Sequence, residues 1–386
     1  MLQYISRVKF TLIFSMIVVS AFIGYLFSAD SVFSERENRF LTERPAVTLS
    51  GLADGDFMDR FELYTTERLP LRDVFVSLKA AFGEMIVKNE NNGIVRGRDG
   101  YLFEKLVALN PQLEKNRASV LNLVKQTDRE INVCIIPNSF EILKDKLPAG
   151  FPNISEEDFI RSFYDELGEC GNVHTIDMYE ALRGHEDEYI YYRSDHHWTT
   201  DGAYLGYLKL HELLAGSHAP FGTRDINAGI SSPAYKRNEV PGFLGTYYSK
   251  YRGVFGDHTD ILTYYDIPVA SYISGGIGYD SLYDLEKLDV YDKYAMFMRG
   301  NEGVAVVDSV DDGTDRKDEL VLFKDSYSNC LIPFLTFDYD RITVVDLRYF
   351  PDSVQELLAQ KPDADVLLMY NFMHFNEDNH FYKLVR

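Results

Sequence analysis

The segment richest in chemically capable side chains runs Tyr-Arg-Ser-Asp-His-His-Trp-Thr over residues 192–199. Asp195 and His197 are two positions apart, so in an extended segment their side chains lie on the same face. A carboxylate placed there can accept the Nδ1–H of the imidazole and leave Nε2 free to act as a base. The segment therefore predicts two of the three members of a nucleophilic triad.

A metal centre is the second hypothesis for the same segment. Asp195, His196 and His197 could ligate an ion, with His185 nearby, and would then suggest a metal-dependent phosphodiesterase or hydrolase. Adjacent histidines rarely point at one ion, and no His-x-x-x-His pair accompanies them. The pattern therefore favours the triad, and a purely structural loop is the third hypothesis.

The third triad member is predicted within Lys-Asp-Ser-Tyr-Ser, residues 324–328, which follow the apolar run Leu320–Phe323. Ser326 comes directly after a predicted buried strand and at the start of a helix. A hydroxyl at this place is exposed, and backbone N–H groups lie nearby for an oxyanion. Ser326 could equally be a simple helix N-cap, a common role for serine, although Asp325 could cap instead.

The elements around these segments indicate an α/β fold. After residue 303 the pattern alternates between strands and helices with short joins, and a buried strand earlier in the chain closes at Pro137-Asn138. Such alternation is typical of a parallel sheet, in which ligands bind beyond the carboxyl ends of the strands. The residues directly after Phe323, Ile136 and Tyr370 are therefore expected at the site. The predicted strands are 133–136, 173–177, 320–323, 342–345 and 366–370, and the main predicted helices are 111–129, 156–167, 201–215, 326–334 and 353–360.

Two helices are also predicted between residue 56 and Met85, separated at Pro70, and a short hairpin is predicted around Ile94–Phe103. Residues 217–300 are rich in Tyr, Gly and Asp and have little periodicity. We expect this stretch to be a peripheral β and loop insertion.

Composition excludes several classes of protein. The 386 residues are 46% hydrophobic and 26% charged, which is ordinary for a globular chain and not for a disordered one. The formal net charge of −21 disfavours a nucleic-acid partner, because phosphate binding requires a basic face. The cysteines Cys134, Cys170 and Cys330 are too few for a disulfide framework.

The N-terminal segment reads as a membrane anchor. Residues 10–29 carry no charge, and 20 residues suffice to span ~30 Å of hydrocarbon as a helix. Arg7 and Lys9 precede the segment, which predicts a cytoplasmic N-terminus and an extracytoplasmic remainder. A cleaved signal peptide is the alternative, but bulky Phe27 stands two positions before Ala29, where a small residue is expected.

These features predict a single-pass protein of the cell membrane. Its parts are a cytoplasmic stub and anchor at residues 1–29, a linker at 30–55, and an extracytoplasmic domain at 56–386 with its insertion at about 217–300.

The ensemble resembles the DHHW family of bacterial surface proteins. That family is similar to the SGNH-type O-acetyltransferase domains that modify exopolysaccharides such as alginate. In those domains the acid and the histidine belong to an Asp-x-His-Trp motif, matched here by Asp195, His197 and Trp198. The serine belongs to a later strand-turn-helix motif that ends in Ser-Tyr, matched by Ser326 and Tyr327. Further matches are Glu37–Arg39, Gly97–Phe103, Gly242–Lys250 and Asp292–Asn301.

One departure from the relatives concerns the nucleophile. They often have Gly-Thr before the serine, where this chain has Lys324-Asp325, and a lysine there changes the charge beside the oxyanion. No motif matches the separate Asn and Gly of the SGNH oxyanion hole. Asn301 and Asn138 are the candidate donors.

The resemblance implies an SGNH-hydrolase-like three-layer fold with a parallel sheet. It also implies an acyl transferase or esterase, with acetyl as the expected group and a cell-surface polysaccharide as the substrate. The acyl-enzyme route needs no metal or cofactor, and transfer implies a membrane partner that supplies acyl groups. Expected substrate contacts are Arg193, Asn301, Tyr327 and Tyr247, the last in a Tyr-rich stretch suited to sugar stacking. A non-catalytic glycan-binding or assembly protein of the cell envelope is the alternative.

Overall fold

The structure is a computed structural model that describes residues 2–26, 32–34, 39–85, 89–215, 223–225, 229–231, 235–252 and 259–386. The chain divides into two compact units. The first comprises Met1–Asn91 and Ser249–Phe255, and the second comprises Asn92–Tyr248 and Gly256–Arg386. The domain boundary predicted at residue 56 therefore falls inside the first unit.

The first unit is built mainly from helices, at Leu2–Leu26, Leu49–Asp54, Asp56–Glu67 and Arg72–Met85, with a two-residue strand pair at Phe33–Ser34 and Arg39–Phe40. The Thr48 hydroxyl caps the second helix by accepting from the Gly51 N–H at 3.1 Å. Gly55 ends that helix with a left-handed φ of 89°, a conformation that glycine adopts without steric cost. The helices Asp56–Glu67 and Arg72–Met85 confirm the two helices predicted before and after Pro70.

Among the described residues, no helix is both long enough and apolar enough to span a lipid bilayer. The anchor predicted at residues 10–29 stays a prediction. Residues 27–29 of that prediction lie outside the described part of the chain.

The second unit is organised on an eight-stranded sheet. In chain order its strands are β1 (Ile131–Ile136), β2 (Val173–Ile176), β3 (Val269–Ser274), β4 (Ile277–Tyr279), β5 (Val304–Ser309), β6 (Lys317–Lys324), β7 (Tyr339–Val345) and β8 (Asp365–Asn371). Their order across the sheet is β4-β3-β5-β7-β6-β8-β1-β2. The strands from β7 to β2 run parallel, and β5, β3 and β4 extend the β7 edge in antiparallel pairs.

The sheet is therefore mixed: the predicted parallel sheet is present, and antiparallel strands extend one of its edges. The parallel strands β1, β6 and β8 were recognisable because each contains a continuous apolar run, as strands buried on both faces do. Every residue of β1 is buried, for example. The antiparallel strands β3 and β4 come from the region predicted as a peripheral insertion, so part of residues 217–300 belongs to the central sheet.

Four helices accompany the sheet: α1 (Gln112–Lys125), α2 (Glu156–Gly168), α3 (Thr200–Leu210) and α4 (Val354–Gln360). Shorter helices lie at Ser139–Ile142, Met178–Leu182, Thr246–Tyr251, Ile332–Leu335 and Phe372–Glu377. Antiparallel strand pairs form at Ile94–Arg96 with Leu102–Glu104, at Thr223–Asp225 with Gly229–Ser231, and at Arg237–Phe243 with Asp260–Tyr265. These elements include the predicted hairpin and all the main predicted helices except 326–334, which is a 3₁₀ turn, Ser326–Cys330, followed by Ile332–Leu335.

The register aligns the carboxyl ends of the three central parallel strands. Lys324 of β6 pairs with Met369 of β8, and Asn371 at the end of β8 pairs with Ile136 at the end of β1. The segments that follow these strands consequently meet at one edge of the sheet. This is the edge at which the sequence predicted the site.

Candidate active site

Ser326, His197 and Asp195 form one continuous hydrogen-bonded row at this edge. The Nε2 atom of His197 lies 2.8 Å from Ser326 Oγ, and its Nδ1 atom lies 2.6 Å from Asp195 Oδ1. Both distances fall in the range that proton transfer between side chains requires. The structure thus brings together the three residues that the sequence selected, in the order nucleophile, base and carboxylate.

The Asp195 carboxylate is fixed by backbone donors. Its Oδ1 atom accepts from the His197 N–H at 3.0 Å, and its Oδ2 atom accepts from the Thr246 N–H at 2.7 Å. Any side chain at Gly245 would overlap the carboxylate, so only glycine allows this approach. Residues 245 and 246 lie in the family-matched segment Gly242–Lys250, but their contact with Asp195 was not predicted, because the stretch has little periodicity.

A second buried carboxylate, Asp260, holds the loop that carries the triad acid. It accepts from the Arg193 N–H at 3.0 Å, from the Ser194 N–H at 2.8 Å and from the Tyr189 hydroxyl at 2.5 Å. These bonds satisfy backbone donors that would otherwise be buried without partners. Asp260 therefore fixes the geometry of this loop.

Burial sets the protonation states of the triad. Burial, and after it the adjacent His196, lower the pKa of His197 to about 4 against the opposing effect of Asp195. Burial raises the pKa of Asp195, but the two neighbouring imidazoles outweigh this and hold it well below its usual range. At neutral pH the row therefore contains an ionised carboxylate and a neutral imidazole, which is the state in which His197 can accept a proton.

Two rings enclose the imidazole of His197. Tyr294 stacks on one face, with 3.8 Å between centroids and 10° between planes, and His196 lies 3.9 Å away with its ring tilted by 36°. The Tyr294 hydroxyl donates to the Ser326 carbonyl at 3.1 Å. One buried tyrosine therefore contacts both His197 and the backbone of Ser326. Tyr294 lies in the family-matched segment Asp292–Asn301, but no role was predicted for it.

The turn that carries Ser326 is capped by its neighbour. Asp325 Oδ1 accepts from the Tyr327 N–H at 2.9 Å, and its Oδ2 atom accepts from the Asn371 N–H at 2.7 Å. Asp325 thus fills the N-cap role that the sequence left open between Asp325 and Ser326. The Ser326 hydroxyl is left to face His197.

Trp198 joins the two motifs. Its indole N–H donates to the Tyr327 carbonyl at 2.8 Å, and the whole ring is buried. The tryptophan that follows the histidine therefore fixes the distance between the histidine loop and the serine turn.

Of the four predicted substrate contacts, two are buried. Tyr327 and Tyr247 are each 1% exposed, and the Tyr327 hydroxyl donates to the carbonyl of His196. Arg193 lies over the Tyr189 ring at 4.6 Å and donates to the Asp99 carbonyl at 3.2 Å. These geometries favour structural roles for all three residues in place of the predicted substrate contacts.

The two candidate oxyanion donors differ in their surroundings. Asn138 is buried, and its side chain donates to Glu156 at 2.6 Å and accepts from Asn371 at 3.0 Å. Asn301 is only half-buried, and its amide oxygen accepts from Lys324 at 2.8 Å. Asn301 is therefore the better placed of the two for contact with a substrate.

The metal hypothesis concerns the same residues as the triad. Potential ligand atoms of Asp195, His196 and His197 lie within 4.8 Å of one another. However, His197 Nδ1 is hydrogen-bonded to Asp195, and its Nε2 is hydrogen-bonded to Ser326. An ion at this place would have to displace one of these bonds, so the geometry fits the triad better.

The sequence matches a protein family and is similar to a curated protein. A family model described as "DHHW protein" matches residues 110–345. The "Probable alginate O-acetylase AlgJ" of Pseudomonas aeruginosa is 24% identical over 160 residues, which are 39% of this chain and 41% of that protein. The chain therefore matches less than half the length of this curated relative.

Solved structures share the fold. A DHHW family protein from Eubacterium siraeum superposes with a TM-score of 0.60 at 23% identity, covering 76% of this chain and 95% of that one. Bacillus cereus PatB1 superposes with a TM-score of 0.58 at 18% identity, covering 75% of this chain and 98% of that one. A further PatB1 structure carries a sulfonyl adduct.

Proposed function

The chain belongs to the DHHW family, and we propose that it is an acyl transferase or esterase, most simply an O-acetyltransferase, that acts on a polysaccharide. The observation that carries the proposal is the hydrogen-bonded row from Ser326 Oγ through His197 to Asp195. A buried neutral imidazole between a serine and an ionised carboxylate is the arrangement that activates a serine hydroxyl.

In the first half-reaction, Ser326 Oγ attacks the acyl carbonyl carbon of the donor. His197 Nε2 takes the hydroxyl proton as the new carbon–oxygen bond forms, and then gives it to the leaving group as the donor bond breaks. Asp195 keeps Nδ1 protonated and stabilises the imidazolium that forms. The products are an acyl-serine ester and the protonated leaving group.

In the second half-reaction, a hydroxyl of the acceptor replaces the serine. His197 takes the acceptor proton, the acceptor oxygen attacks the acyl carbon, and the proton returns to Ser326 Oγ as the ester to serine breaks. Water in place of the acceptor gives hydrolysis by the same steps. Transfer and hydrolysis therefore differ only in which hydroxyl reaches the acyl-enzyme first.

Each tetrahedral intermediate carries a negative oxygen that needs hydrogen-bond donors. We assign the side-chain amide of Asn301 as one donor. It is half-buried, and its oxygen accepts from the amide of Asn329, three positions after the nucleophile, at 3.2 Å.

The polysaccharide substrate is supported by the curated relative, whose name refers to alginate O-acetylation. The net charge of −21 disfavours a strongly acidic acceptor, because like charges repel at the encounter. We therefore propose that the preferred acceptor is a weakly charged or neutral glycan. Since an acyl donor must reach the site, the proposal also includes a membrane partner that supplies it.

The proposed site of action is outside the cytoplasm, and it is supported by Arg7 and Lys9 before the uncharged segment 10–29. A fusion of alkaline phosphatase after Arg386 tests it, because that reporter is active only outside the cytoplasm. An active fusion supports the proposal, and an inactive but stable fusion contradicts it.

Activated acetyl esters test the enzymatic proposal. Wild type should release the leaving group in a burst as acetyl-Ser326 forms, and added oligosaccharide should accelerate turnover if transfer is the reaction. The Ser326→Ala variant should show neither effect. Glycan binding without acetylation of the serine would instead favour the non-catalytic, assembly function.

A further inference from the structure

Lys324 is a buried cation at the end of β6, two positions before the nucleophile. Its side chain is 2% exposed, and removing an ammonium group from water is unfavourable unless partners compensate. Its Nζ atom donates to Asn301 Oδ1 at 2.8 Å and to Asn329 Oδ1 at 2.7 Å, and it lies 3.8 Å from Asp346 Oδ2. The mechanism derived above does not use this group.

The chemistry of lysine fixes which way the two amides face. An ammonium group donates hydrogen bonds and accepts none, so both amides must present their oxygens to Lys324. The Asn329 NH₂ group then donates to the same Asn301 oxygen at 3.2 Å. With its oxygen held by two donors, the Asn301 amide directs its NH₂ group away from Lys324.

The backbone before Asn301 is also constrained. Met298, Arg299 and Gly300 have successive φ angles of 53°, 55° and 100°. Left-handed conformations are unfavourable for non-glycine residues such as Met298 and Arg299. The Tyr272 hydroxyl holds this turn by donating to the Met298 carbonyl at 2.6 Å. Asn301 is thus placed by a strained turn on its backbone side and by Lys324 on its side-chain side.

We propose that Lys324 is a positioning residue, which holds Asn301 so that its amide N–H donates to the acyl oxygen during acetylation of Ser326. The inference rests on the proposed function and deepens it. It also explains the Lys324-Asp325 departure, since here a buried lysine orients the donor.

The environment of Lys324 gives the proposal a pH signature. Burial lowers its pKa to about 8, Asp346 and Asp325 oppose that shift, and Arg348 adds to it. Above this pH the amine is neutral and its hydrogen bonds to the amides weaken. The acetylation rate should therefore decline above about pH 8 in wild type, and this decline should disappear in Lys324→Met.

The test compares acetylation of Ser326 by p-nitrophenyl acetate in the full chain. Lys324→Met and Asn301→Ala should each slow acetylation at least about 10-fold, and the double variant should be no slower than Asn301→Ala alone. Lys324→Gln should recover part of the rate, because its amide can still donate. Lys317→Met, at the exposed start of the same strand, is the matched control and should match wild type.

Additive losses in the double variant, or a Lys324→Met rate equal to that of the control, would overturn the proposal. If wild type forms no acetyl-enzyme, the proposed function fails, and the side-chain amide resonance of Asn301 then decides the role of Lys324. That resonance is identified by its absence in Asn301→Ala. It should shift in Lys324→Met and not in Lys317→Met, and an unchanged resonance overturns the positioning role.

Discussion

His197 Nε2 lies 2.8 Å from Ser326 Oγ, although the two residues are 129 positions apart in the chain. The bond from the Trp198 indole to the Tyr327 carbonyl joins the residues that follow each of them. His197 and Ser326 are therefore held in place by neighbours on both elements. Such preorganisation is what lets a fixed site stabilise charge without reorganising during the reaction.

Removal of the nucleophile should abolish acetyl transfer and leave the fold intact. We expect Ser326→Ala to lower turnover of an activated acetyl ester at least about 10³-fold, because the row then has no attacking oxygen. Ser328→Ala is the matched control from the same turn, since the Ser328 hydroxyl is buried and has no hydrogen-bond partner among the described residues. Equal activities of the two variants would exclude Ser326 as the nucleophile.

The pH dependence of acetylation should report the depressed pKa of His197. Because burial and then His196 lower that pKa to about 4, the rate should fall as the pH drops through about 4 and stay level up to neutrality. With a histidine in ordinary surroundings, the acetylation rate would instead fall as the pH drops through ~6.5. Initial burst rates between mildly acidic and neutral pH measure this, and a limb at the ordinary value would contradict it.

The same shift should appear in stability. Between about pH 6.5 and 4 the unfolded chain binds a proton at this histidine that the folded chain does not. The contribution of His197 to the free energy of unfolding is therefore complete above ~6.5 and is lost as the pH falls to about 4. In chemical denaturation, the free energy of unfolding of His197→Gln should decrease less than that of wild type as the pH falls. An identical decrease would refute the depressed pKa of His197.

Gly245 should be intolerant of any side chain. A methyl group at this position would overlap the Asp195 carboxylate, so Gly245→Ala should displace the acid and slow acetylation at least about 10²-fold. Gly278→Ala is the control, because no atom lies within 4 Å of the added carbon and φ is not left-handed. Burst rates and melting temperatures of both variants give the comparison, and a fully active Gly245→Ala would refute this account of Asp195.

The two contacts of Tyr294 can be separated. Tyr294→Phe keeps the ring on His197 and removes the hydroxyl, which donates to the Ser326 carbonyl at 3.1 Å and to Cys330 Sγ at 3.4 Å. Tyr294→Leu removes both the ring and the hydroxyl. Leu should lower the burst rate more than Phe and should also move the pH limb of His197, since only Leu removes the stacked face. If both variants show the wild-type limb, the stacking does not influence the base.

The triad was predictable because its chemistry is concentrated in short motifs. Asp195 and His197 share one loop, and Ser326 follows a buried strand whose apolar run is clear in the sequence. The parallel order of β6, β8 and β1 then places their carboxyl ends together, as the alternation of strands and helices indicated.

The supporting residues were not predictable, since their roles depend on tertiary contact. Gly245, Thr246 and Tyr294 lie in segments that match the family, but these segments and Asp260 belong to a region with little hydrophobic period, where neither element nor partner could be assigned. The antiparallel strands β3 and β4 were missed for the same reason. Tyr327 and Tyr247 were predicted to contact substrate, but they are packed inside, because aromatic residues serve cores more often than they line sites.

The most direct test of the central claim is to treat the chain with a serine-directed sulfonyl fluoride and locate the adduct by peptide mass. An activated Ser326 predicts one adduct, on that residue, which is absent from folded His197→Ala. Folded wild type without an adduct on Ser326, or an adduct that persists in His197→Ala, would contradict an activated Ser-His-Asp row.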